Sequence, residues 1–224
     1  MKNIDHNKII KRVASKTFKQ YGIKQKGQSR LFIDDNDWFL IIIEFQPSKL
    51  GNGTYLNIGI NFNWNVQDYF SFDIGNREKE FVECINEEQF TEEINKLCKH
   101  SIEKACNYKN KFRDINNAEK IILKHNFTSD ELWGNYHRGI ISGLVGNKNN
   151  SSKYFNKLLE VPENNIEWII ELKKQIKGLM DLATKNTADF TEKIQLIIRE
   201  TRKLKKLEDK KIIIEHGTTT HNKR

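Results

Sequence analysis

Two strand-length apolar segments, residues 38–46 (WFLIIIEFQ) and 54–62 (TYLNIGINF), stand seven residues apart, and no other feature constrains the fold as much. The second alternates with period two. Leu56, Ile58, Ile60 and Phe62 fall on one face and Tyr55, Asn57, Gly59 and Asn61 on the other, the pattern of a strand with one face in a core. The first is apolar on both faces, which predicts a central position in a sheet. Pro47 cannot donate to a ladder and marks the strand end. Gly51-Asn52-Gly53 offers residues that tolerate positive φ, as a hairpin turn demands. A phosphate-cradling loop would instead lead into a helix whose N-terminus faces the anion. A strand follows here, so the glycines are read as a hairpin, and the best hint of a nucleotide-handling enzyme is lost.

The remaining elements follow from periodicity. Residues 5–21 predict a helix with Asp5 as N-cap and Gly22 just past its end. Ile10, Val13, Ala14, Thr17, Phe18 and Tyr21 form its buried stripe. Residues 30–33 read as a strand, DDND (34–37) as a turn, 69–74 (YFSFDI) as a strand and 81–85 as a short fifth one. Strands in succession without intervening helices imply an antiparallel meander. From residue 87 the pattern is helical. Helices are expected over 88–106 and 116–125, then in a segment opened by the capping box Thr128-x-x-Glu131 and closed at Gly146. Three more are expected over 151–161, 165–185 and 189–209. The fold class is therefore α+β: an antiparallel sheet of four or five strands, an N-terminal helix and a helical C-terminal half. The expected division is 1–112 for the sheet domain, 113–211 for the helical region and 212–224 for a disordered polar tail.

Charge is unevenly placed. Residues 1–30 carry nine Lys/Arg against one Asp, and residues 189–224 carry ten against six acids, within a net charge of +8. Basic ends suit a nucleic-acid contact or an acidic partner surface. No apolar run approaches the roughly 20 residues needed to span a bilayer, and the charged N-terminus does not read as a signal peptide. No membrane association is expected. Three cysteines, with no CxxC pair, suit a reducing cytoplasm. The richness in Lys, Asn and Ile points to an AT-rich bacterial genome.

Two resemblances add to this reading. Gly22-Ile-Lys-Gln-Lys-Gly27, then an apolar strand ending in Phe45-Gln-Pro-Ser48, then Tyr55-Leu-Asn-Ile-Gly-Ile60, resemble a bacterial domain-of-unknown-function family. That family's motifs read GFKKKG, FQKS and VNLGI. The resemblance covers residues 10–75. Pro47, where a charged residue is usual, and the long C-terminal hairpin depart from it. It implies an α+β domain with a small antiparallel sheet and carries no activity to any residue. Residues 132–159 resemble a single tetratricopeptide-like hairpin. Solenoids need about three repeats, so these helices are expected to pack within the chain. Gly139-x-x-x-Gly143 within them suits close helix approach.

Catalytic patterns are weak. Cys98-x-His100 with Cys106 matches no zinc spacing, and His216 and His221 sit in the expected tail. There is no G-x-S-x-G elbow. Glu78-Lys79-Glu80 and Glu208-Asp209-Lys210 lack the strand context of a D…ExK nuclease. No catalytic residue, metal or cofactor is expected. The expectation is a non-enzymatic protein-interaction module, an accessory or immunity-type component of a defence or toxin-neutralising system. Its partner would be a protein from its own operon, or a second copy bound through the C-terminal helices. Trp133, Tyr136, Ile169, Ile176, Ile194 and Ile198 are the candidate contact residues. The alternative is phosphate-led nucleic-acid binding through Lys8, Arg12, Lys19, Arg199, Arg202, Lys203 and Lys206.

Overall fold

The computed structural model describes residues 4–49 and 51–216. The chain divides into two compact units. The first runs to Asn63 and resumes over Gln67–Asn110; the second comprises Trp64–Val66 and the residues from Lys111 on.

The first unit is built on a five-stranded antiparallel meander in the order β1-β2-β3-β4-β5, so the fold is α+β as expected. Its strands are β1 (Lys24–Gln25), β2 (Leu31–Asn36), β3 (Phe39–Gln46), β4 (Gly53–Phe62) and β5 (Ile74–Glu83). Ile43 pairs with Ile58 and Ile41 with Ile60, and Leu56, Ile58, Ile60 and Phe62 are wholly buried. Helix α1 (His6–Lys19) lays Phe18 against Phe32 and Phe45 of that face, with ring centroids 5.0 and 6.4 Å away. Asp5 caps α1 by accepting from the Lys8 N–H, and Gly22 takes φ 72° beyond its end. Tyr21, expected in the buried stripe, is exposed because the helix stops at Lys19. Helix α2 (Glu87–Phe112) runs longer than expected. Its Lys109 pairs with Asp34 of β2 at 3.0 Å, and its Lys104 with Glu78 of β5 at the same distance.

The turns and strands of this unit depart from the sequence reading in part. Asp34–Asn36 continue β2, and the turn is reduced to Asp37 and Trp38, with Asp37 at φ 65°. The Gly-Asn-Gly segment lies in the hairpin connection between β3 and β4, as expected, and Gly53 also serves close packing. A Cβ there would lie 2.2 Å from the Val82 carbonyl oxygen and 2.7 Å from the Phe81 ring. Residues 69–73 are not a strand. Asp73 turns its carboxylate onto the Phe62 N–H (2.6 Å) and the Asn61 side-chain amide (3.0 Å). The Phe72 ring lies over Gly59, where a Cβ would come within 2.4 Å of it. In place of the two strands expected at 69–74 and 81–85 there is one strand, β5 (Ile74–Glu83), whose middle is charged.

The second unit holds α3 (Ile115–Lys124), a single π-helical turn (Asp130–Gly134), α4 (Asn135–Leu144), α5 (Lys148–Glu160), α6 (Glu167–Lys185) and α7 (Thr187–Leu204). Helix α4 is buried along its whole length and packs against α3, α5 and α7, while α6 packs against α5 and α7. The Gly139-x-x-x-Gly143 pair admits aromatic rings. A Cβ on Gly139 would meet Phe155 at 2.3 Å and one on Gly143 would meet Phe190 at 2.4 Å. The expected disordered tail is corrected as far as it is described: Ile212 is buried and Glu215 bridges to Asp114. His221 lies outside the described residues. Among the described residues no helix is long and apolar enough to cross a membrane.

Candidate functional site

The helical unit carries an open cleft of about 500 Å³, walled by Trp133 and Tyr136 on one side and by Trp168, Glu171, Leu172 and Gln175 of α6 on the other. Residues 168, 171, 172 and 175 follow helical spacing, so one face of α6 forms that wall. Asn65, Val66 and Lys174 complete it. The Trp133 and Trp168 rings are parallel within 2° at a centroid separation of 5.9 Å, an offset stack. Tyr136 meets Trp133 edge-on at 85°. Its hydroxyl donates to the Trp64 carbonyl at 2.7 Å, which anchors the buried end of the cleft. Trp168 is 51 % exposed, and Val66, Ile166 and Ile170 are exposed as well.

The π-helical turn sets Trp133 in this wall. The Gly134 N–H reaches back five residues to the Ser129 carbonyl at 3.0 Å, and the Asn135 N–H to that of Asp130. The extra residue in the turn changes the direction in which the side chains project, and such turns gather at functional sites. The expected Thr128–Glu131 capping box is absent, and no side-chain cap bond opens the turn. Asp130 holds it instead. Its carboxylate accepts from Arg138 Nη2 at 2.6 Å and from the Phe127 N–H at 3.4 Å. The Arg138 bond is the main reason its carboxyl sits below the usual carboxylate range. Arg138 also donates to the His125 carbonyl at 2.6 Å and lies between the Phe127 and Tyr154 rings. Its Nε is buried with no hydrogen-bond partner among the described residues. Burial, and then the Arg138 charge, push His125 below its ordinary value of 6.5.

Of the six residues expected to contact a partner, Trp133 and Tyr136 line the cleft, Tyr136 with almost all of its surface buried. Ile169, Ile176, Ile194 and Ile198 are buried inside the helical unit and offer no surface. The stripes of α6 and α7 are covered by each other and by α5 and α4, so the hairpin's apolar faces are intramolecular core. Trp168 is the site residue the sequence reading missed. It falls out of phase with the Ile169 stripe, and an aromatic out of phase with its own helix stripe is a legible sign of exposure.

Of the basic residues of the alternative reading, Lys8, Arg12 and Lys19 belong to the sheet unit and Arg199, Arg202, Lys203 and Lys206 to the helical unit. Lys8 pairs with Asp5 and Arg12 with Glu87 (3.1 Å), both in the sheet unit. Arg202 is buried and donates to the Glu208 carbonyl at 2.6 Å. Lys19, Arg199, Lys203 and Lys206 are exposed.

Burial pushes the Cys98 thiol up to about 12, and Cys84, Cys98 and Cys106 are free. Among the described residues no group of three or more His, Cys, Asp or Glu could hold a metal ion. Burial raises the Glu78 carboxyl, but hydrogen bonds from Lys104 and His100 outweigh it and hold the group below its ordinary value. No family model, curated protein or solved structure matches the chain. The family resemblance is thus carried by its motif residues alone.

Proposed function

We propose that this chain is a non-enzymatic protein-interaction module of the bacterial cytoplasm, and that the cleft of its helical unit holds an apolar anchor of a partner protein. The stacked Trp133–Trp168 pair carries this reading. Tryptophan is enriched among the few interface residues that dominate binding energy, and such anchors sit in pockets ringed by weaker contacts. A cleft of about 500 Å³ takes one or two large side chains. Glu171 and Lys174 offer both charge signs beside it. An immunity-type role, with the partner encoded in the same operon, is the narrower form of the proposal and rests on analogy.

The test is binding of the purified operon-encoded neighbour to the wild type, Trp168→Ala and Trp133→Ala, with sedimentation of each chain alone. Trp168→Ala should weaken binding at least tenfold, about 1.4 kcal/mol or more, while the melting temperature hardly moves. Binding that is absent, or unchanged in both variants, sinks the proposal. Self-association lost in Trp168→Ala would make a second copy the occupant.

A further inference from the structure

Two of the three motifs that carry the family resemblance meet in the sheet unit. Lys26 of the first and Phe45, Pro47 and Ser48 of the second line one cleft of about 650 Å³, together with Arg30, His6 and Asn7. Arg30 donates from Nη1 to the carbonyls of Gly53 (3.2 Å) and Phe45 (3.4 Å), and from Nε to Asn7 Oδ1 (2.5 Å). Its Nη2 lies 2.8 Å from His6 Nε2. A guanidinium has no acceptor and does not lose its proton in proteins, so His6 must accept on Nε2 and carry its own proton on Nδ1. Burial, then the Arg30 charge, lower the His6 pKa and favour this neutral ring.

The arrangement leaves a positive charge bonded only to neutral acceptors. Four of the five Arg30 N–H groups are assigned, and the remaining Nη2–H has no partner among the described residues. Asn7 accepts with its oxygen, so its amide N–H groups remain as donors, as does Nδ1–H of His6. Two acids bear on the region. Asp5 stabilises the Arg30 charge through space, but its carboxylate takes the Lys8 N–H and pairs with the Lys8 ammonium. Glu44 lines the cleft, with its carboxylate on the Asn57 amide at 2.8 Å. Lys26, 5.4 Å from the Phe70 ring centroid, adds a second cation, and Leu31, Pro47 and Phe70 supply apolar surface.

We propose that this cleft binds an oxyanion, the carboxylate or phosphate of a small ligand whose apolar body rests on Leu31, Pro47 and Phe70. Charge-assisted donors from Arg and neutral side chains are the usual means of holding such a group. The proposal concerns the sheet unit and does not rest on the tryptophan cleft.

The test is an amide-resolved NMR titration of the full chain with inorganic phosphate and with benzoate. Saturable shifts are expected at residues 6–7, 26–31 and 45–48. Response to phosphate alone assigns a phosphate ligand, and response to benzoate alone a carboxylate. The deciding variant is Asn7→Asp, which keeps the size and the acceptor for Arg30 Nε but places a negative charge on the guanidinium. It should retain or raise the melting temperature and weaken anion binding at least tenfold. Lys26→Gln, on a side chain that is not part of the core, should weaken it severalfold. No saturable shift at these residues with either probe, or undiminished affinity in Asn7→Asp, overturns the proposal.

Discussion

The indole N–H of Trp64 donates to Nδ1 of His137 at 3.0 Å, inside the helical unit where both side chains are almost fully buried. The bond fixes the imidazole tautomer with its proton on Nε2. Trp64→Phe keeps most of the ring volume but leaves Nδ1 buried without that donor. Stranding a buried acceptor costs about 1–3 kcal/mol, and chemical denaturation of the variant should show a loss in that range. A loss below about 0.5 kcal/mol would mean the pair has little weight.

The glycines of the helical unit should fall into two groups. At Gly139 and Gly143 an added methyl would enter the Phe155 and Phe190 rings. Gly139→Ala and Gly143→Ala should each destabilise by about 1–3 kcal/mol through overpacking. Gly178 lies within α6 with nothing within 4 Å of its virtual Cβ. Gly178→Ala should stabilise by about 0.5–1 kcal/mol through helix propensity. Opposite signs in one set of melts are the expected result.

Strand register can be checked by adjacent substitutions. Ile58 is wholly buried beside Ile43, so Ile58→Asp buries an unpaired charge and should prevent folding. Asn57 is half-buried and donates to Glu44 (2.8 Å) and Gln46 (2.9 Å). Asn57→Asp brings a like charge to Glu44 and should cost about 1 kcal/mol while leaving the fold intact. Circular dichroism melts of the two variants should differ widely.

Acid should destabilise both units from near neutrality. His6 and His125 have folded pKa values below the ordinary 6.5, so the unfolded chain binds protons more readily than the folded one as pH drops below that value. Stability should therefore fall as pH passes from about 6.5 down through their folded values. Asp130, with a folded value below 3.8, adds a second loss at lower pH as its bond to Arg138 is protonated away. Denaturation midpoints from pH 7.5 to 5 should decline, and His125→Gln should flatten part of that slope.

The alternation over 54–62 and the caps of α1 made the sheet's centre and the first helix legible, because one face of each is buried and local spacing reports it. Strand β5 was hidden because Asn76–Glu80 are polar on both faces, as an edge strand's residues often are. The two-residue β1 is set by its pairing with Ile33 and Phe32 rather than by its own sequence. The π-helical turn depends on the bond between Asp130 and Arg138, eight residues away, which local spacing does not show. Trp133 and Tyr136, singled out for their aromatic character, line the cleft. Arg30 was not legible, since its setting depends on Asn7, Phe45 and Gly53, which only the folded sheet brings together.

Trp64–Val66 belong to the helical unit although the residues on both sides of them belong to the sheet unit. The chain therefore passes between the units three times, at 63/64, 66/67 and 110/111. A single cut near residue 112 does not yield two self-sufficient pieces, because the N-terminal piece takes with it the indole that His137 requires. In evolutionary terms neither half is a free cassette. A gene fusion that exchanged one half for another would have to graft three residues into the β4–β5 connection as well, so the two halves are expected to be inherited together.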